Sequence, residues 1–167
     1  RIGKKLIKKC LGFDMKVIVY DPYVEEKVIN DLGGKKILEL EKGLKETDIL
    51  SLSTPLTDET KNFITMKEMS LMKKNAIIIN ISRGGVVNEK DLNTALNNKI
   101  ISFAGLDVFE KEPPDTSNPL LQNKRVLLSP HAATFTKEGL ENMSLETVQN
   151  IIDFFEKKIE STKIVQL

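Results

Sequence analysis

The chain has 167 residues, 40% of them hydrophobic, which suits one domain of ordinary size with a real core. Its 25 basic and 24 acidic residues leave a formal net charge of +1, so the basic excess of a nucleic-acid binder is missing and no nucleic acid is expected as a partner. One cysteine excludes an intrachain disulfide scaffold, and no apolar run approaches the roughly 18 residues of a membrane span.

In chain order, hydrophobic periodicity alternates between two types. Residues 3–12 read as a helix ended by Gly12, with Cys10 on its apolar face as a buried, inert thiol. Lys16 to Tyr20 is a β-branched strand closed by Asp21-Pro22. Val24 to Leu32 predicts a helix ending at Gly33-Gly34, Ile37-Leu38 a short strand, and Leu40 to Thr47 a short helix. Ile49 to Ser53 is a strand stopped by Thr54-Pro55. Thr65 with Glu68 forms a capping box that starts a helix running to about Lys73. Ala76 to Ile81 is a strongly apolar strand, expected to be buried on both faces.

Ser82-Arg83-Gly84-Gly85 breaks that strand, and Asn88 with Asp91 caps the next helix, which continues to about Asn98. Ser102 to Asp107 is a strand followed by a loop from Glu110 to Pro119. Val126 to Leu128 is the last strand, closed by Ser129-Pro130. Thr136 to about Lys158 reads as one long helix with Val148, Ile151, Ile152, Phe155 and Ile159 at helical spacing. Strands alternating with helices predict an α/β fold with a mostly parallel sheet.

Ligands bind beyond the carboxyl ends of the strands in such a sheet. The residues found there are Asp21, Thr54-Pro55, Ser82-Arg83-Gly84, Asp107 with Glu112, and His131. In a dinucleotide fold an acidic residue at the place of Asp21 accepts hydrogen bonds from the adenosine ribose and repels a 2′-phosphate, favouring NAD; the competing reading is a plain Asp-Pro turn. Arg83 carries a planar fork suited to a carboxylate, and its glycine neighbours allow close approach; a surface arginine in a turn is the alternative. His131, the single histidine, can give and take a proton, although a lone histidine is more often structural. Glu112 either pairs with His131 and holds its ring or belongs to an ordinary acidic loop. Gly3 supplies at most the end of a G-x-G-x-x-G loop and says little alone. No metal site is expected.

Taken together these segments resemble the D-isomer-specific 2-hydroxyacid dehydrogenase family along essentially the whole chain. The resemblance rests on Arg1-Ile-Gly3, Pro55-Leu-Thr-Asp-Glu-Thr60, Asn80-Ile-Ser-Arg-Gly-Gly-Val-Val87, Gly105-Leu-Asp-Val-Phe-Glu-Lys-Glu-Pro113 and Ser129-Pro-His-Ala132. It implies a doubly wound parallel sheet of Rossmann type and an NAD-dependent oxidoreductase acting on a small D-2-hydroxy or 2-keto acid. In that reading Arg83 holds the substrate carboxylate and polarises the carbonyl, His131 is the general acid and base, and Glu112 orients and tunes His131. The cofactor contacts implied are Gly3, Asp21, Pro22, Ser53, Thr54, Pro55, Ile81, Ser82, Arg83, Asp107, His131 and Ala133. Ser53 stands where family members often carry a histidine.

The resemblance divides the chain into an NAD-binding domain, residues 1–135, and a C-terminal helix, residues 136–167, that packs toward a substrate domain. The family's substrate domain and the first strand of its nucleotide domain precede this kind of segment, so a longer chain is expected, inactive when reduced to these residues. A homodimer, a cytoplasmic location and no membrane association complete the expectations. Two alternatives stay open: a non-enzymatic NAD(H)-sensing corepressor-like module of the same family, and a Rossmann-type domain with other nucleotide chemistry.

Overall fold

The computed structural model describes residues 2–164; Arg1 of the Arg1-Ile-Gly3 motif and the last three residues of the 136–167 segment lie outside the described residues. The chain forms two compact units, one up to Pro130 and one from His131 onward.

In the first unit the order is α1 (Ile2–Leu11), β1 (Ile18–Tyr20), α2 (Glu26–Asp31), β2 (Lys35–Ile37), α3 (Leu40–Glu46) and β3 (Ile49–Leu52). It continues with α4 (Met66–Leu71), β4 (Ile77–Asn80), α5 (Glu89–Asn97), β5 (Phe103–Leu106) and β6 (Val126–Leu128). A 3-10 turn at Pro119–Gln122 begins where the loop read from sequence ends, started by Asn118, whose side chain accepts from the Leu120 N–H. All strand pairings are parallel, in a two-stranded sheet β1-β2 and a four-stranded sheet β3-β4-β5-β6.

The local signals explain most boundaries. Thr65 caps α4 with a complete capping box. Burial pushes the Glu68 carboxyl up, but hydrogen bonds from the Thr65 hydroxyl and N–H outweigh it and leave the group below its ordinary range. Asn88 caps α5 by accepting the Asp91 N–H at 2.9 Å, and the Asp91 carboxylate accepts the Met66 N–H at 2.9 Å, tying the starts of the two helices together.

The core lies on one face of the larger sheet. Leu52, Ile78, Ala104 and Leu106 from the strands meet Leu44 of α3, Met69 of α4, and Leu92, Ala95 and Leu96 of α5. The expectation that β4 is buried on both faces needs correction: Ile78 and Asn80 are buried, while Ile77 and Ile79 are half-buried. Outward side chains elsewhere in this sheet are more open still, with Phe103 of β5 48% and Leu127 of β6 80% exposed. Cys10 is also half-buried rather than buried; Ile7, not Cys10, is the buried residue of α1.

The second unit is built on α6 (Lys137–Phe155), capped by the Thr136 side chain. The helix stops three residues before the predicted Lys158. Lys157 takes φ 57, and the Lys158 and Lys157 N–H groups return to Asp153 O and Phe154 O at 2.8 and 3.1 Å. This is a Schellman ending with lysine where glycine is usual, so the sequence carries no glycine to announce it. No residue of α6 is buried.

Candidate functional site

The carboxyl ends of β3 and β4 open onto a cleft of about 220 Å³ lined by Ile2, Leu52, Ser53, Thr54, Pro55, Ile81, Ser82 and Arg83. Six residues expected to contact the cofactor, Ser53, Thr54, Pro55, Ile81, Ser82 and Arg83, therefore share one surface. Gly3, in the first turn of α1, lies beside it: a Cβ built there would be 3.8 Å from Ser53 Cβ. The ten-residue α1 thus begins at the cleft, and a helix start favours negative charge.

Arg83 sits in a turn shaped by its neighbours. Its Nη1 donates to Ser82 O at 2.7 Å, so the guanidinium folds back over its own loop. Asn80, a buried residue given no role from sequence, donates from Nδ2 to Arg83 O at 2.9 Å and accepts from the Ser82 N–H and Oγ. Gly84 follows because nothing larger fits. A Cβ there would lie 1.8 Å from the Phe109 carbonyl oxygen. That contact brings the Arg83 turn against the segment leading to Glu112.

Glu112 is exposed, and its Oε1 accepts the Phe109 N–H at 3.0 Å, which folds the loop back on itself. The same loop is fastened to the start of α5. Glu89 Oε1 accepts the Glu110 N–H at 2.5 Å, Glu110 Oε1 accepts the Glu89 N–H at 3.2 Å, and Asn118 donates to Glu89 Oε2 at 2.7 Å.

Asp107 closes β5 and is 3% exposed. It accepts a hydrogen bond from Ser129 Oγ at 2.5 Å, so the ends of β5 and β6 are linked through side chains. Neither Asp107 nor Asp21-Pro22 lines the cleft. Asp21 is half-buried at the end of β1, where its Oδ1 accepts the N–H groups of Tyr23 and Val24 at 2.9 and 3.1 Å. Both bonds fall on Oδ1. Beside it the Tyr23 hydroxyl donates to Glu59, and this hydrogen bond with the Glu59 charge holds the hydroxyl above its ordinary pKa. The pair joins the loop after β1 to the loop after β3.

His131 and Ala133 belong to the second unit and are both exposed. His131 adopts φ 52, a left-handed conformation uncommon for a residue with a side chain and concentrated at functional sites. Among the described residues no group of three potential metal ligands occurs, and no helix is long and apolar enough to cross a membrane.

The residues fit a dinucleotide by their chemistry: a helix start and hydroxyls at the cleft, and a carboxylate acceptor at the end of the neighbouring sheet. Sequence reasoning missed Asn80, Ser129, Glu89 and Glu59. For Asn80 a signal exists, a lone amide ending the run Ile77-Ile78-Ile79; for the others only the fold reveals a role.

A family model described as D-isomer specific 2-hydroxyacid dehydrogenase, NAD binding domain, matches residues 1–133. A glyoxylate reductase of Thermococcus litoralis is 43% identical over 163 residues, covering 95% of this chain and 47% of the relative. A D-3-phosphoglycerate dehydrogenase of Methanocaldococcus jannaschii is 41% identical over 139 residues, covering 83% of this chain and 26% of the relative. The chain thus spans about half or less of the length of the curated relatives it matches. Among solved structures, the NAD-complexed D-isomer specific 2-hydroxyacid dehydrogenase of Lactobacillus delbrueckii ssp. bulgaricus superposes with a TM-score of 0.85 at 28% identity, over 99% of this chain and 53% of that one. A D-lactate dehydrogenase of Aquifex aeolicus complexed with NAD and lactic acid gives a TM-score of 0.83 at 33% identity, over 94% of this chain and 51% of that one. The corepressor alternative finds no support in these comparisons. With its parallel sheets, its strand-end cleft and these relatives, the chain belongs to the D-isomer-specific 2-hydroxyacid dehydrogenase family and contains that family's Rossmann-type NAD-binding domain.

Proposed function

We propose that the protein reduces a small 2-keto acid to the D-2-hydroxy acid, and runs the reverse oxidation, with NAD(H). The observation that carries this reading is the cleft that places Arg83 beside Ser53, Thr54 and Ser82 at adjacent strand ends. Arg83 grips the substrate carboxylate with its forked guanidinium and polarises the adjoining carbonyl. His131 donates a proton to the carbonyl oxygen during reduction and takes it back in the oxidation, with Glu112 as the residue that orients it. Gly3, Ser53, Thr54, Pro55, Ile81 and Ser82 contact the cofactor's central portion, Asp21 with Pro22 the adenosine ribose, and Asp107 with Ala133 the nicotinamide end. The bound nicotinamide supplies or accepts the hydride.

Residues 1–135 act as the NAD-binding domain, and the segment 136–167 packs through its helix α6 toward a substrate domain or a second subunit. A homodimer in the cytoplasm is the proposed working form. The substrate is drawn from glyoxylate, hydroxypyruvate, pyruvate or a phosphorylated relative. The test is NADH oxidation by the full protein with glyoxylate, hydroxypyruvate, pyruvate and phosphohydroxypyruvate. Turnover with one of them, reduced about 10²- to 10⁴-fold in His131→Ala, is the expected result. NADH binding without turnover on any of the four would overturn this choice of substrates.

A further inference from the structure

Asn80 is the polar end of an apolar strand, and it is 2% exposed. Burying an amide is unfavourable unless its groups are satisfied. Here they are satisfied by the turn that carries Arg83. Nδ2 donates to Arg83 O at 2.9 Å, and Oδ1 accepts from the Ser82 N–H at 3.1 Å and from Ser82 Oγ at 2.8 Å. The guanidinium is then held against that same turn, because Arg83 Nη1 donates to Ser82 O. The backbone that Asn80 fixes is therefore the backbone that aims the guanidinium.

The main chain of Asn80 extends the same control to the next strand. Its carbonyl oxygen accepts the Asp107 N–H at 3.0 Å. Asp107 accepts from Ser129 Oγ, and the Ser129 N–H donates to Leu106 O at 3.0 Å. An apolar residue at position 80 would extend the hydrophobic core of β4 but leave the Ser82–Arg83 turn without its internal template.

We propose that Asn80 is a positioning residue for carboxylate recognition, acting through the Ser82–Arg83 turn and coupling it to Asp107. This rests on the reading of Arg83 as the group that grips a 2-keto acid. A free arginine side chain has many rotamers to lose on binding, so a turn that pre-orients it strengthens binding of a planar carboxylate. A misplacement of about 1 Å in such a clamp costs on the order of 10²-fold in rate.

The experiment compares the full protein with its Asn80→Ala, Asn80→Asp and Ser82→Ala variants. NADH affinity is read by fluorescence, oxamate affinity on the NADH complex by the same signal, and KM and kcat with glyoxylate. Asn80→Ala should leave the NADH Kd within about threefold while raising the oxamate Kd and the glyoxylate KM about tenfold or more. Asn80→Asp keeps an acceptor for Ser82 but loses the donor to Arg83 O, and should fall between wild type and alanine. A purely structural role would lower kcat and the yield of folded protein, with KM and oxamate affinity unchanged; that pattern overturns the proposal. If the Asn80 variants do not fold, Ser82→Ala removes the Oγ contact with the Asn80 amide, and its NADH Kd, read alongside, separates any loss of the Ser82 cofactor contact. It should weaken oxamate about threefold at unchanged Tm, and unaltered oxamate affinity there overturns the proposal equally. A wild-type protein that binds NADH but neither oxamate nor glyoxylate overturns the substrate-class reading, and the role of Asn80 with it.

Discussion

The four-stranded sheet and the β1-β2 pair have the same parallel pairing, but they are held together differently. In the larger sheet, β4 has a strand on each side, and Ile78 is fully buried under α4 and α5. The smaller sheet has two three-residue strands with no fully buried position, and two-stranded sheets are marginal without packing from elsewhere. That packing comes from α2, whose Ile29 is 2% exposed, and from α3. The buried Gly43 of α3 faces Ile18 and Ile37, while the next residue, Leu44, joins the main core. Tyr20 adds a stack on Phe63, with ring centroids 6.1 Å apart. The lesson is that the Arg83 end of the site rests on a self-sufficient body, whereas the Asp21 end depends on two short helices and one ring contact.

Two glycines sharpen the contrast most. An alanine methyl at Gly84 would meet the Phe109 carbonyl at 1.8 Å, and that backbone is held by the loop's bonds to Glu89. Gly84→Ala is expected to cost about 3 kcal/mol or more in urea denaturation and to abolish keto-acid binding. At Gly43 the methyl would meet the tip of the Ile37 side chain, which can turn away. The helix gains about 1 kcal/mol from alanine, so Gly43→Ala should stay within about 1 kcal/mol of wild type. Equal losses at both positions would show that the two sheets are equally rigid and break the comparison.

A smaller effect is expected at the end of β1. Asp21→Ser removes the carboxylate while keeping a short polar side chain. The ratio of NADPH to NADH affinity should rise about tenfold, roughly 1.4 kcal/mol, in a fluorescence titration. A constant ratio would mean that the ribose is read by another residue, with Glu59 nearest at hand through its bond to Tyr23.

The smallest expected effect lies in the α4 cap. Glu68 is held below its ordinary pKa in the folded state. A depressed carboxylate contributes stability that is present above its unfolded pKa and lost as pH falls through the folded one. Glu68→Gln, which preserves an acceptor, should therefore cost about 0.5 kcal/mol at neutral pH, and the gap to wild type should close in acid below the usual carboxylate range. Denaturation midpoints measured across that range check it.

Much of this was legible in the residues because the responsible forces are local. Thr65 with Glu68 and Asn88 with Asp91 mark their helices by short-range hydrogen bonds, and the structure contains both caps. The apolar runs at Ile49, Ile77 and Phe103 mark strands because burial selects them. Motif order placed Ser53, Thr54, Pro55, Ile81, Ser82 and Arg83 at strand ends, and they share a cleft. The Schellman ending of α6 escaped notice because Lys157 hides a left-handed position that glycine would have announced.

What the sequence by itself determined was the alternation of strand and helix, the helix caps, and which polar residues close the strands. Those follow from periodicity and from contacts within a few positions of one another. Only the tertiary structure decided that β1-β2 and β3 to β6 form separate sheets, that one face of the larger sheet carries the core, and that Gly84 fits beneath the Phe109 carbonyl. It also decided that Glu89 fastens the loop of Glu112 and that Asn80 templates the turn of Arg83. The physical reason is distance along the chain: Gly84 meets Phe109, and Asn80 meets Asp107, only after parallel pairing brings remote strand ends side by side.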